Sequence, residues 1–310
     1  MTATEAMLKK SALREKALAD AYKKTEFLDA NYPDIAEIDK ELSSVSRLIV
    51  SAVVNKNCEE EIEKIKARNL SLQETRRKKL ISYGLDENYD TPVFSCPICS
   101  DTGYNGKTFC SCVIKMCARD AYLSSGLGKA SLGNTFENFT LKYYGGKDRE
   151  NMSDVRDTCL DFADNFNGDG ANLLFTGGTG LGKTHLSSAI AQRVIDKGYT
   201  VVYESAQNIF DVFENVRFGK GEGNTDKFLE CDLLIIDDLG SEFSTNYTAS
   251  VLYQILNTRL MNGKSVILST NLGSKELLKR YGERIYSRLL GSFDTCVFSG
   301  NDIRLLKLGE

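Results

Sequence analysis

The sequence predicts an α/β protein: a parallel sheet covered by helices, preceded by a small cysteine-bearing segment and a helical N-terminal region. Three observations predict it. Apolar runs alternate with amphipathic stretches from residue 152 onward. Four cysteines crowd into residues 96–112. Glycine is absent before Gly84, while heptad-spaced apolar residues run through 35–72. The boundaries these features draw are 1–88 for the helical region, 89–122 for the cysteine segment, 123–150 for a linker and 151–310 for the α/β domain.

The N-terminal region comes first. Ile35, Ile38, Leu42, Val45, Ile49 and Ala52 step by alternating threes and fours, which is a heptad seam. Ile62, Ile65, Asn69 and Leu72 repeat the rhythm with one polar interruption. Pro33 separates the first of these helices from what precedes it, and 55–57 marks a turn. A helical bundle or hairpin follows, with a seam that fits an internal partner and an external one equally. Arg76-Arg77-Lys78-Lys79 is the one dense basic run, and it reads as a solvated helix end.

Cys96-Pro97-Ile98-Cys99 and Cys110-Ser111-Cys112 flank the turn-rich stretch 101–106. A short, loop-rich unit buries too little surface to fold alone. A tetrahedral Zn²⁺ held by Cys96, Cys99, Cys110 and Cys112 would supply the folding energy and leave no open catalytic position. Cys117 is a substitute for Cys112. The scattered Cys58, Cys159, Cys231 and Cys296 are expected in the interior.

In the last region 173–176, 200–203, 233–236 and 265–269 read as strands, and 183–197, 206–218 and 249–261 as helices. Fully apolar runs such as Leu233-Leu234-Ile235-Ile236 suit parallel strands buried on both faces. Gly177, Gly178, Thr179, Gly180, Leu181, Gly182, Lys183 and Thr184 complete the pattern G-x-x-x-x-G-K-[ST] between a strand and a helix. The glycines turn backbone N–H groups onto phosphate oxygens, and the helix adds its positive end. Lys183 is expected on the β- and γ-phosphates of ATP, and Thr184 on Mg²⁺. Asp237 and Asp238 end the next apolar run, where a parallel strand delivers its last residues to the phosphate crevice. Asp237 is expected to hold Mg²⁺, and Asp238 to polarise the attacking water. Many ATPases of this type carry Glu at the second position, so the shorter Asp238 predicts slow hydrolysis. Asn271, at the end of 265–269, fits either a γ-phosphate contact or a strand-end turn. Arg284 and Arg288 share a helix face, which fits either an anion on a neighbouring subunit or a solvated surface. His185, the sole histidine, reads as structural.

Composition narrows the class. At 310 residues the chain exceeds one typical core. A net charge of −4 argues against a surface that coats nucleic acid wholesale. No apolar run approaches the roughly 20 residues of a membrane helix, and Met1-Thr2-Ala3-Thr4-Glu5 has no apolar signal segment. A cytoplasmic protein with no membrane partner is expected.

The run 231–240 (Cys-Asp-Leu-Leu-Ile-Ile-Asp-Asp-Leu-Gly), continued by 241–246, resembles the DnaC/DnaI-type replicative helicase loaders, which are AAA+ ATPases. Phe136-Glu137-Asn138-Phe139 is similar to the segment leading into their nucleotide domain, and 96–112 to the zinc-binding stretch of the Gram-positive-type loaders. The resemblance covers about residues 90–305. It implies an AAA+ fold, Asn271 as first sensor, Arg288 with Arg284 as the finger acting on a neighbour's ATP in a homo-oligomer, and Arg304 as second sensor. It also implies a loader that grips the replicative helicase through its N-terminal helices and contacts single-stranded DNA. The alternative is an IstB-type transposition helper acting with a transposase on duplex DNA. The all-cysteine metal set departs from loaders that use a histidine ligand.

Overall fold

The computed structural model describes residues 2–54, 59–124, 133–220 and 224–308, with side chains described outside 46–61 and 308. The turn expected at 55–57, Cys58, the side chains of the seam positions Ile49 and Ala52, and residues 125–132 of the expected linker lie outside what is described. The chain forms two compact units: 7–110, and 111–310 together with 1–6.

In the first unit α1 (Ala3–Asn31), α2 (Pro33–Val54) and α3 (Glu59–Ser82) are helices. α1 escapes a heptad reading because its apolar residues follow no single stripe; Leu8, Leu13, Leu18 and Tyr22 are all exposed. α2 packs along α3. Ile35 and Val45 are buried, and Ile38, Leu42, Ile62, Ile65 and Leu72 are half-buried, so the seam is largely internal. Leu28, Ile35 and Leu80 form a small core. In the basic run Arg77 and Lys78 are exposed, as a solvated helix end implies, whereas Arg76 is half-buried in ion pairs. Arg76 pairs with Asp39 at 2.6 Å and Asp90 at 2.7 Å, and Lys79 with Asp34 at 2.8 Å. Arg77 pairs with Glu87. A two-stranded antiparallel hairpin, β1 (Tyr104–Asn105) and β2 (Thr108–Phe109), closes this unit.

The second unit begins with α4 (Ser111–Leu123) and α5 (Gly146–Asn165). α5 starts inside the stretch expected to be a connector. Its strongly polar sequence hides a buried stripe of Met152, Val155, Cys159 and Ala163. Then follow β3 (Leu173–Thr176), α6 (Lys183–Asp196), β4 (Val201–Ser205), α7 (Ala206–Arg217), α8 (Asp226–Glu230), β5 (Leu233–Leu239), α9 (Asn246–Met261), β6 (Ser265–Thr270), α10 (Ser274–Ser292), β7 (Asp294–Val297) and α11 (Ile303–Leu308). The five strands are all parallel, in the order β4-β5-β6-β3-β7. Two separate hydrophobic clusters, one containing Leu173, Phe175 and Ile235 and the other Leu174, Leu234 and Ile236, show alternate residues of each strand buried in each. That is the double burial the apolar runs predicted. Cys159, Cys231 and Cys296 are interior, as expected.

The crevice at the carboxyl ends of β3, β5 and β6 gathers the functional side chains. One irregularity matters there. Ile236 pairs with Leu268 but Leu239 pairs with Thr270, so β5 carries one extra residue opposite β6. This β-bulge bends the strand end and re-aims its side chains.

Candidate functional site: a nucleotide cleft and a cysteine cluster

β3 ends at Thr176, and the glycine loop carries the chain into α6. Gly182 caps α6 with φ 92°, and Gly180 has φ 71°. Both conformations are open to glycine at no steric cost. At Gly180 a Cβ would also stand 1.8 Å from Asp302 Oδ1.

Lys183 is buried, and its ammonium donates to Gly177 O, Gly178 O and Asn271 Oδ1, each at 2.6 Å. Burial lowers its pKa, while the charges of Asp238 and Asp237 oppose that shift. Thr184 Oγ1 donates to Asp237 Oδ2 at 3.0 Å. Asp237 is buried and accepts twice more, from Tyr203 on β4 at 3.1 Å and from Ser269 on β6. Its carboxylate is therefore held from three elements.

Asp238, at the bulge, has φ 52°. Its carboxyl pKa is raised by burial and by the Asp237 charge, with Lys183 and Arg304 pulling the other way. Asp238, Lys183, Thr184, Asn271 and Arg304 line one cleft of about 360 Å³. Arg304 reaches it because Ile303 N–H donates to Gly180 O at 3.0 Å, tying α11 to the loop.

A further wall is lined by Asn134, Asn138, Phe139, Thr140 and Tyr143, with Lys307; of these the sequence pointed only to Asn138 and Phe139, through the resemblance of 136–139. Two side chains of α6 hold it. His185 Nε2 meets Thr135 O at 2.8 Å, and Gln192 Nε2 donates to Asn134 O at 2.8 Å. The structural expectation for His185 agrees with that contact.

Arg284 and Arg288 do not line this cleft. They follow Gly282, whose φ 80° and ψ 169° interrupt α10. Arg284 is exposed. Arg288 donates to Asn257 Oδ1 at 2.6 Å and Tyr253 OH at 3.2 Å.

In the segment 96–112, the sulfurs of Cys96, Cys99, Cys110 and Cys112 lie within 4.8 Å of one another. Cys117 is not among them. Cys96 Sγ and Cys110 Sγ are 3.9 Å apart. A tetrahedral Zn–S bond of about 2.3 Å places neighbouring sulfurs at about 3.8 Å, so the donor set fits Zn²⁺. Buried Asp101, the first residue of the turn-rich stretch, organises the turn. It accepts from Ser95 N at 2.7 Å, Cys96 N at 3.1 Å and the Lys10 ammonium at 2.9 Å.

A phosphate loop, a paired-acid strand end and a polar residue on the next strand, around a parallel sheet, define a P-loop nucleotide-binding domain. A family profile described as IstB-like ATP binding protein matches residues 119–290, more than half of the chain. The chain belongs to that family. It is 27% identical over 169 residues to the replicative helicase loader DnaC of Buchnera aphidicola subsp. Baizongia pistaciae, spanning 53% of this chain and 66% of that one, just under two thirds. It is 26% identical over 190 residues to DnaC of Escherichia coli (strain K12), spanning 60% and 75%. A crystal structure of the DnaC helicase loader superposes with a TM-score of 0.49 at 25% identity, over 55% of this chain and 99% of that one. The resemblance read from 231–246 is met by these sequence relatives. Among the described residues no helix is long and apolar enough to cross a membrane.

Proposed function

We propose that this chain is an ATP-hydrolysing loader that places a ring-shaped replicative helicase on single-stranded DNA. The observation carrying the proposal is the convergence of Lys183, Thr184, Asp238, Asn271 and Arg304 on one cleft, in a chain homologous to proteins named helicase loaders. Bound ATP would supply the phosphoanhydride, and Mg²⁺ held through Thr184 and Asp237 would neutralise its developing charge. Lys183 and the glycine-loop N–H groups would hold the phosphates. Asp238 would orient the attacking water. Asn271, already bonded to Lys183, would sense the terminal phosphate, and Arg304 would bind it. Arg288, with Arg284, would complete the site of a neighbouring copy in a homo-oligomer. Structural Zn²⁺ on the four cysteines would hold the hairpin, and the N-terminal helices would grip the helicase.

Exposed aromatic side chains, some beside cations, support the single-stranded DNA part of this reading. Phe218 and Phe243 are exposed. The Arg217 guanidinium lies 4.8 Å from the Tyr247 ring, and Lys220 lies 5.9 Å from Phe218. Aromatic faces beside cations suit stacked bases and their phosphates.

The test is helicase deposition on a single-stranded template by the full chain and by Lys183→Ala. Co-purification with a replicative helicase and loss of deposition in the variant are expected. Normal deposition by Lys183→Ala overturns the mechanism. Binding of duplex in preference to single-stranded DNA would point to the transposition helper instead.

A further inference from the structure

Asp238 occupies a left-handed conformation at a bulge. Such a conformation is costly for a non-glycine residue and persists only when its surroundings over-determine it. Those surroundings are visible. Asp238 N–H donates to Ser269 Oγ at 3.1 Å, and Asp238 O accepts from Ser241 N at 3.1 Å and Ser241 Oγ at 2.8 Å. Thr270 Oγ1 donates to Leu239 O at 2.6 Å. These contacts are all local to β5, β6 and the turn.

The remaining fastening reaches further. Glu242 is 3% exposed, a rare placement for a glutamate. One carboxylate oxygen accepts from Gly240 N at 2.8 Å. The other accepts from the Tyr281 hydroxyl, and the Arg280 guanidinium stands 3.4 Å from it. Arg280 also donates to the Glu242 backbone carbonyl. Burial and Glu242 together push the Tyr281 phenol far above its ordinary range, so it stays a donor. Residues 280 and 281 end the first half of α10, and Gly282 breaks the helix before the half that bears Arg284 and Arg288.

We propose that Glu242 is a positioning residue for hydrolysis: its buried carboxylate pins the strained turn that presents Asp238 and anchors that turn to α10 beside the Gly282 break. Glu242 is bonded to Gly240, Arg280 and Tyr281, none of which lines the nucleotide cleft, and it acts through the backbone of Gly240. A carboxylate is required because the Gly240 N–H meets one oxygen and the Arg280 guanidinium faces the other. An amide that keeps its oxygen on Gly240 turns its N–H₂ toward Arg280, which has no acceptor, although the Tyr281 hydroxyl can reverse its bond. The inference rests on the hydrolytic reading above.

The experiment uses the full chain and measures steady-state ATP turnover, affinity for a fluorescent ATP analogue, thermal midpoint and amide exchange at Gly240. Glu242→Gln is expected to lower kcat by about tenfold to a hundredfold while ATP affinity stays within about twofold, as for a misplaced catalytic group. Gly240 exchange should accelerate. Tyr281→Phe removes one hydroxyl without opening a cavity and should give a smaller loss in the same direction. Ile255→Val, on the buried face of α9, serves as the destabilised control, with kcat retained. A Glu242→Gln enzyme with wild-type kcat overturns the proposal. So does a loss of kcat that Ile255→Val reproduces at the same thermal midpoint. If the wild-type chain turns over no more ATP than Lys183→Ala, the hydrolytic reading itself fails, and the proposal falls with it.

Discussion

Arg259 offers the sharpest test of how the amino ends of the sheet are held together. This α9 side chain is fully buried. Its guanidinium donates to Phe228 O at 2.9 Å, Cys231 O at 2.9 Å, Ser265 O at 2.6 Å and Asp232 O at 3.3 Å. No carboxylate is among the acceptors it bonds. Those carbonyls belong to the end of α8, the lead into β5 and the first residue of β6, so one cation fastens the near ends of both central strands. Arg259→Met keeps most of the apolar stem and removes every donor. Each buried carbonyl left unpaired costs about 1–3 kcal/mol. Three close bonds thus set a gross cost of about 3–9 kcal/mol, which relief of the buried guanidinium's desolvation reduces to about 3–5 kcal/mol. For a unit of this size that lowers Tm by roughly 10 °C. Thermal unfolding followed by circular dichroism reads the change. Arg259→Lys should recover only part of it, because an ammonium cannot reproduce the planar fork. A fall in Tm of under about 2 °C for Arg259→Met would refute the fastening, since the carbonyls would then have found water or new donors at little cost.

Three further outcomes are expected. Gly180→Ala forces a left-handed alanine, at about 1–2 kcal/mol, and drives its Cβ onto Asp302, which caps the turn bearing Arg304. ATP affinity measured by calorimetry should fall by about tenfold or more, the factor that 1.4 kcal/mol represents. Asp238→Asn should abolish most turnover while leaving ATP affinity near wild type, read by phosphate release beside a binding titration. The full chain should carry one Zn²⁺ by elemental analysis, and Cys99→Ser or chelation should unfold the 96–112 hairpin, seen as rapid amide exchange at Cys110, whose N–H donates to Gly103 O at 2.8 Å.

Much of the site was legible because its parts are local in sequence. The glycine loop needs its lysine and threonine at fixed offsets, since consecutive backbone amides must converge on one phosphate group. The apolar run before Asp237 and Asp238 announces a doubly buried strand. The cysteine spacing announces a tetrahedral donor set, and the four sulfurs are clustered. Arg304 was legible only as a third candidate cation beside Arg284 and Arg288, and its sensor role came through family resemblance, because nothing in its local pattern links α11 to the loop. Other features were hidden for physical reasons. α5 reads as polar because its buried stripe is narrow, and α1 because its apolar residues point several ways. Tyr203, Ser269 and Glu242 carry no motif, and their meaning arises only when β4, β6 and α10 are brought to the end of β5.

By itself, then, the sequence determined the alternating α/β order, the phosphate loop, the acid pair and the cysteine set, each encoded in a span short enough for spacing to dictate geometry. Tertiary structure decided the rest. One extra residue in β5 opposite β6 turns Asp238 into the cleft. The wall at 134–143 is fastened to α6 by His185 and Gln192. Gly282 and the Glu242 anchor set where the arginine-bearing half of α10 begins. These depend on contacts between residues far apart in the chain, and a pairing register or a buried carboxylate has no local pattern to announce it.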